Sequence, residues 1–326
     1  MTTRHLVDPA LLPLLEMLPT RDLHAGTLME TRALMRERLG SAPLAAPDAV
    51  LHVPGADGAP AVAVRLFRPP GVASPSPAIL HIHGGGFVIG AAAMNDAANA
   101  ARAMRHGAVV VSVEYRLAPE TPFPGPIEDC YAALAWLFAE APALAIDPAR
   151  IVVTGESAGG GLAAALALLA RDRGLPPLAG QVLTYPMLDP ASPDSANPST
   201  GEFIWTRGST RFGWEAMRGG RPIASENAGY FAPALATDLR GLAPAFIAVG
   251  ALDLFLDEDV AYATRLSHAA VPVELHVYPG AFHGFDLVAH AAPALRMADD
   301  IAAATARFLG EYAVDSSCAG DVRVIN

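Results

Sequence analysis

The sequence contains no lysine, because all 22 of its basic residues are arginine. This absence excludes both a Schiff-base lysine and the phosphate-binding lysine of a P-loop. Cysteine is almost as scarce: Cys130 and Cys318 are the only two, and neither lies in a CxxC pair or a Cys/His cluster. Zinc and redox motifs are therefore not supported, and we expect neither a metal nor a cofactor.

Basic residues are fewer than acidic ones: 22 basic and 33 acidic residues give a formal net charge of −11. An acidic surface argues against nucleic acid and anionic membranes as partners. No stretch is long and apolar enough to span a bilayer, and Pro9, Pro13 and Glu16 interrupt the apolar N-terminus where a signal peptide needs an unbroken run. We therefore expect a cytoplasmic protein.

Apolar residues are abundant, at 52% of a 326-residue chain, which is ample for one large α/β domain with an insertion. Apolar runs that are typical of buried strands alternate with helical patterns, which predicts a mostly parallel sheet covered on both faces. The predicted strands are 49–55, 61–67, 78–83, 108–115, 150–155, 180–186, 244–250 and 272–280. The predicted helices that separate or follow them are 96–107, 126–141, 157–174, 257–270 and 293–312.

Two segments depart from this alternation. Residues 1–40 are predicted to be helical and amphipathic, with an apolar stripe from Leu11 to Met35 that includes Leu34 and needs a buried partner. Residues 187–243 are rich in Pro, Ser, Asn and Gly, and a structureless loop of that length is uncommon inside a domain. This segment is therefore predicted to be an inserted, helical subdomain.

The stretch VTGESAGG, residues 153–160, places a serine between a predicted strand and a predicted helix. A sharp turn there lifts the Ser157 hydroxyl out of the sheet, and crowding favours residues without side chains at Gly155 and Gly159. The alternative is a small-residue turn that only packs a helix closely on the sheet. The strand–turn–helix context favours a nucleophile.

A serine nucleophile needs a base and an acid, which in this arrangement follow in the order Ser, Asp or Glu, His. Of the ten histidines, His283 lies in a short loop directly after the last predicted strand. Asp253 follows the end of the preceding strand and is the predicted acid. Asp257 and Glu258 are instead predicted to be charges at the start of the next helix.

Three consecutive glycines follow a strongly apolar strand in ILHIHGGGFVIG, residues 79–90. Acyl transfer generates an oxyanion that preorganised N–H donors must stabilise, and glycine lets the backbone approach it closely. Gly85, Gly86 and Ala158 are the predicted donors, and His83 is expected to organise the loop. The glycine spacing misses the G-x-G-x-x-G fingerprint of dinucleotide-binding proteins.

Six motifs in order make the chain resemble the bacterial hormone-sensitive-lipase-like esterases over about residues 45–312. This resemblance implies an α/β-hydrolase fold, with a mostly parallel eight-stranded sheet flanked by helices and a helical cap. It implies a triad of Ser157, Asp253 and His283, and an oxyanion hole at Gly85, Gly86 and Ala158. The motifs are HGGGF (83–87), VEYRLAPETPFPGPIED (113–129), DPARIVVTGESAGGGLA (147–163), YPMLD (185–189), GALDLFLDE (250–258) and FHGF (282–285).

The resemblance also implies a division of the chain. Residues 1–45 and 190–240 would form the cap, 46–189 and 241–312 the two parts of the catalytic domain, and 313–326 a tail without clear periodicity, as is typical of disordered termini.

The function expected from these residues is that of a serine carboxylesterase acting on short- to medium-chain acyl esters through an acyl-enzyme. Two alternatives stay open: an amide or lactone hydrolase with the same triad, and a non-catalytic small-molecule binder on the same fold. A small-molecule ester is the expected partner, and a homodimer also stays open.

Overall fold

The computed structural model describes residues 2–18, 20–41, 45–71 and 74–310. Within these ranges eight strands form one sheet in the order β1-β2-β4-β3-β5-β6-β7-β8. Their bounds are β1 (Ala49–Val53), β2 (Val62–Phe67), β3 (Ser76–Ile82), β4 (Val109–Glu114), β5 (Ile146–Glu156), β6 (Gly180–Thr184), β7 (Ala245–Gly250) and β8 (Val273–Tyr278).

The sheet is parallel except at one edge, where β2 pairs antiparallel with both β1 and β4. Every other neighbouring pair, from β4 and β3 to β7 and β8, is parallel. The predicted fold class, a mostly parallel eight-stranded sheet of the α/β-hydrolase type, is confirmed.

Helices cover both faces of this sheet. The five predicted helices that separate or follow the strands are confirmed as α3, α4, α6, α9 and α10. The described helices are α1 (Leu12–Met17), α2 (Leu28–Ser41), α3 (Asp96–His106), α4 (Gly125–Ala139), α5 (Ala141–Leu144), α6 (Ala158–Asp172), α7 (Arg207–Arg218), α8 (Ala228–Phe231), α9 (Leu256–His268) and α10 (Ala292–Phe308).

The core lies in two layers because strand side chains alternate between the faces of the sheet. Leu80 of β3 and Val111 of β4 belong to the layer that includes α4 and α6. Their neighbours Ile79 and Val110 belong to the layer that includes α3 and α10. A strand buried on both faces must be apolar throughout, which is why the central strands form continuous apolar runs in the sequence.

The two segments that depart from the alternation differ from their predictions. Residues 1–40 are helical only in part, because they form two short 3₁₀ turns, α1 and α2, and the described residues between α1 and α2 are not helical. Leu28 is buried, but Leu34 is 52% exposed, so the predicted stripe is not continuous. The predicted helical insertion is only partly helical, because loops and 3₁₀ turns connect α7 and α8.

The polypeptide of the N-terminal segment runs along the loops at the carboxyl ends of the parallel strands. Asp8 N donates to Gly280 O over 3.0 Å, and Leu23 N donates to Ser209 Oγ of α7 over 2.9 Å. No helix of the described residues is long and apolar enough to cross a membrane. The predictions for Cys318 and for the tail 313–326 lie outside the described residues.

Candidate active site

Ser157 lies in the turn that joins β5 to α6, with φ 56° and ψ −121°. A non-glycine residue with positive φ is strained, and here the strain points the side chain away from the sheet. The turn closes because its flanking glycines allow contact: a Cβ on Gly155 would lie 2.3 Å from Gly159 O, and a Cβ on Gly159 would lie 2.1 Å from Ile82 O. Any side chain at either position would push α6 off the sheet.

The structure brings Ser157, His283 and Asp253 into one hydrogen-bonded chain. His283 Nε2 lies 3.0 Å from Ser157 Oγ, and His283 Nδ1 lies 2.8 Å from Asp253 Oδ2. Asp253 is fully buried, and its second oxygen accepts a 3.0 Å hydrogen bond from Phe255 N. A carboxylate at this distance accepts a hydrogen bond from Nδ1–H and keeps the proton on that nitrogen, which leaves the lone pair of Nε2 free to accept the proton of the serine hydroxyl.

The neighbouring carboxylates lie elsewhere. Asp257 is exposed and binds Ser195 Oγ and Asn197 Nδ2 over 2.9 and 3.2 Å. Glu258 lies in the first turn of α9 as predicted, but its side chain is buried and accepts a 2.7 Å hydrogen bond from Leu188 N.

The glycine loop after β3 lies beside the nucleophile. Gly85 and Gly86 have φ of 120° and 58°, and Gly85 O accepts the N–H groups of Val88 and Ile89, each over 3.0 Å. A Cβ on Gly84 would lie 3.4 Å from Ser157 Cβ, so no side chain separates the loop from the serine. Ala158, the third predicted donor, is buried at the first position of α6, where N–H groups have no partner within the helix.

His83 lies at the start of this loop and stabilises it through its imidazole. Its Nδ1–H donates to Gly84 O over 2.8 Å, and its ring stacks on Tyr115 with centroids 4.2 Å apart. The Tyr115 hydroxyl donates to His83 O over 3.0 Å. Burial lowers the pKa of His83 to about 4, so the imidazole is neutral at neutral pH. These contacts agree with the expectation that His83 organises the loop.

A buried polar network directly before the nucleophile was not predicted. Glu156 binds His81 Nε2 over 2.9 Å and Arg102 Nη2 over 2.6 Å. His81 is fully buried, and its Nδ1 lies 3.0 Å from Ser112 Oγ and 3.2 Å from Asn99 Nδ2. Although burial alone would raise it, the pKa of Glu156 is lowered by these two partners. The ion pair fixes the end of β5 that carries Ser157.

Glu258 also helps to stabilise the backbone of the nucleophile, through the loop after β6. It binds Leu188 N, and the preceding residue, Met187, donates its N–H to Ser157 O over 3.0 Å. The loop after β6 thus connects the start of α9 to the backbone of the nucleophile. The signal in the sequence is the glutamate in DEDV, but only the fold shows that it faces inward.

The described residues contain no group of three or more His, Cys, Asp or Glu side chains placed to hold a metal ion. A serine hydroxyl hydrogen-bonded to a histidine and lying beside backbone N–H groups can perform acyl transfer.

Residues 79–287 match the protein family described as the α/β hydrolase fold. The chain belongs to this family. This α/β hydrolase is 37% identical over 295 residues to the carboxylesterase NlhH of Mycobacterium tuberculosis, covering 88% of this chain and 91% of that protein. It is 36% identical to the ethyl acetate hydrolase of Pseudomonas putida, over 68% of this chain and 70% of that protein.

Among solved structures, the one titled bacterial heroin esterase superposes with a TM-score of 0.88 at 42% identity, covering 94% of this chain and 99% of that chain. The resemblance to the hormone-sensitive-lipase-like esterases is therefore confirmed.

Proposed function

We propose that this α/β hydrolase is a serine carboxylesterase in which Ser157 forms the acyl-enzyme. The observation that carries the proposal is the chain of hydrogen bonds from Asp253 through His283 to the Ser157 hydroxyl. The names of the relatives support the same reaction class, since they include a carboxylesterase, an esterase and an ethyl acetate hydrolase.

The first half of the reaction acylates the serine. His283 Nε2 takes the hydroxyl proton as Ser157 Oγ attacks the ester carbonyl carbon. The carbonyl oxygen becomes an oxyanion, and the N–H groups of Gly85, Gly86 and Ala158 stabilise it. His283 then donates its proton to the leaving alkoxide, and the alcohol departs.

The second half restores the free enzyme. Water enters, gives its proton to His283 Nε2 and attacks the acyl carbonyl, so that the acid leaves and Ser157 regains its proton. Throughout the cycle, buried Asp253 holds the imidazole in one tautomer and stabilises its charged form.

The substrates we propose are esters of short- to medium-chain acids, bound under a cap made of residues 1–45 and 190–240. Contacts between these two segments support one common cover. Glu202 accepts a hydrogen bond from Thr3 Oγ1 over 2.6 Å, and Ile204 N donates to Thr20 Oγ1 over 3.2 Å. One relative is named for hydrolysing ethyl acetate, an ester of a short acid.

The decisive test is Ser157→Ala. We expect its kcat on p-nitrophenyl acetate and butyrate to fall by about a millionfold, because loss of a triad member removes the nucleophile–base unit. A fluorophosphonate probe should add its mass to Ser157 in the unaltered protein and to no residue of the variant. Retention of more than a few per cent of activity by pure Ser157→Ala would refute the assignment.

Assays of the unaltered protein distinguish an ester hydrolase from the two open alternatives, an amide or lactone hydrolase and a non-catalytic binder. Esters, anilides and lactones of one acid are compared by kcat/KM with the unaltered protein. A higher kcat/KM for the anilide or the lactone than for the ester would identify the protein as an amide or lactone hydrolase. A fluorophosphonate adduct that never forms, together with tight ester binding and no turnover, would indicate a binder.

A further inference from the structure

Trp205 lies on the oxyanion loop. A Cβ on Gly86 would be 2.3 Å from Cζ2 and 2.4 Å from Cη2 of this indole, so the ring edge contacts the glycine backbone directly. The centroid of the indole is 6.3 Å from that of the His283 ring.

A strained turn holds the indole in this place. Trp205 N donates to Phe203 O over 2.7 Å, which closes a three-residue turn with Ile204 at its centre. Ile204 has φ 60°, a conformation that is rare for a β-branched residue. Such strain persists only where the surroundings over-determine it, and it concentrates at ligand clamps and active sites.

The surroundings of the turn supply that restraint. The Phe203 ring packs on Phe282, next to His283, with centroids 5.7 Å apart. The N–H of Ile204 is bound by Thr20 Oγ1. The indole Nε1 is buried without a hydrogen-bond partner among the described residues, so packing and the turn, not a polar anchor, fix the ring.

Helix α7 also packs on Gly86. A Cβ on Gly213 of α7 would lie 2.7 Å from Gly86 O, so that helix packs directly on the loop. When the carbonyl oxygen of an ester binds at Gly85 and Gly86, the leaving oxygen must face His283 Nε2 to receive its proton. The acyl group is the remaining substituent of the carbonyl carbon, and it is then the part of the ester that we expect to meet the indole edge beside Gly86.

We propose that Trp205 sets the size limit for the acyl group at the carbon next to the scissile carbonyl. An acyl group that is unbranched at this carbon fits beside the indole edge, whereas one that is branched there clashes with it. This inference rests on the proposed function, because it assigns a selectivity to the same acyl transfer at Ser157. Its sequence signal is an indole in GEFIWT, within the segment that is predicted to be a helical insertion and part of the cap.

The test is Trp205→Leu, assayed as the ratio of kcat/KM for p-nitrophenyl isobutyrate to kcat/KM for p-nitrophenyl acetate. Relief of one methyl group's clash changes discrimination by about 10- to 200-fold, so we expect the ratio to rise at least about tenfold. The matched control is Phe212→Leu, an aromatic of the same segment that packs on the cluster around Leu23 and Leu28. It should leave the ratio unchanged.

Several outcomes would overturn the inference. One is an unchanged ratio in folded Trp205→Leu that still hydrolyses the acetate. Another is a Trp205→Leu protein that discriminates differently between acetyl esters of different alcohols but keeps the isobutyrate-to-acetate ratio of the unaltered protein. If Trp205→Leu does not fold, Trp205→Phe takes its place and should raise the ratio by a smaller factor. An unaltered protein that takes no fluorophosphonate at Ser157 would defeat the proposed function first, and the inference with it.

Discussion

Asp253 and Asp257 are only four residues apart, yet their surroundings differ in every respect that matters for catalysis. Asp253 is fully buried and bound to His283 Nδ1, and Asp257 is exposed and bound to two polar side chains of the insertion. A triad carboxylate acts by fixing the tautomer of its histidine, which needs burial and direct contact. The role of acid therefore belongs to Asp253 in our proposal.

We predict that Asp253→Asn lowers kcat by about four orders of magnitude, because an amide donates to Nδ1 and favours the wrong imidazole tautomer. Asp257→Asn is the matched control and should leave kcat within about twofold, with a stability change of at most about 1 kcal/mol from the helix start. Steady-state kinetics on p-nitrophenyl acetate and urea unfolding measure the two effects. The reverse pattern would make Asp257 the acid.

At the scale of the element, α9 carries an unusual buried face. Asp259 is fully buried, and neither of its oxygens has a hydrogen-bond partner in the described part of the chain. Burial, reinforced by Glu258 and Asp253, raises the pKa of Asp259 well above its ordinary value. Burial likewise raises the pKa of Glu258, although the N–H of Leu188 opposes it. At a pH between the unfolded and the folded pKa, these carboxyls are therefore protonated in the folded protein and ionised in the unfolded chain.

This gives a pH dependence with a definite sign. A carboxyl whose pKa rises on folding has no effect below its unfolded pKa of about 3.9 and destabilises the fold as pH rises above it, by about 1.4 kcal/mol per pH unit until the folded pKa is reached. We predict that Asp259→Asn, which cannot ionise, gains free energy of unfolding relative to the unaltered protein between pH 5 and pH 7. Urea titrations at the two pH values measure the difference.

Asp257→Asn again provides the control, since it makes the same exchange at an exposed position in the first turn of the same helix. An Asp259→Asn protein whose relative stability falls from pH 5 to pH 7 would show that Asp259 is ionised in the folded state and stabilised by a partner.

The elements also show what a sequence can and cannot predict. β3 and β4 were predictable because strands buried on both faces must be apolar throughout. The turn at Ser157 was predictable because only glycine fits at Gly155 and Gly159. The turn at Ile204 was not, because its positive φ contradicts local preference and is sustained by distant contacts such as Thr20. The inward direction of Glu258 likewise depends on packing between elements that are far apart in sequence.

At the scale of the whole molecule, the N-terminal segment joins both sides of the proposed site. Leu11 and Leu14 pack in the cluster that contains Phe282, beside His283. Leu28 packs in another cluster with Val88 and Ile89, the residues that follow the glycine loop. An N-terminal segment that only stabilised the far side of the sheet would make neither contact.

Arg32 of α2 makes several polar contacts in this arrangement. Its Nε donates to Val88 O over 2.8 Å, and its Nη2 donates to Ala118 O over 2.9 Å. Its Nη1 binds Glu120 over 2.7 Å. Since Val88 N is bound to Gly85 O, the arginine reaches the oxyanion loop through one further hydrogen bond.

We predict that Arg32→Ala lowers the free energy of unfolding by about 1.5–3 kcal/mol, because it leaves two backbone carbonyls without a charged donor. It should also change the ratio of kcat/KM for p-nitrophenyl octanoate to that for the acetate, because α2 belongs to the cap that we propose to cover the acyl group. Arg36→Ala, one turn later at an exposed position, is the control for both measurements. If Arg32→Ala loses stability but keeps the acyl-chain profile of the unaltered protein, the N-terminal segment stabilises the fold without shaping the pocket, and residues 1–45 are not part of a cap.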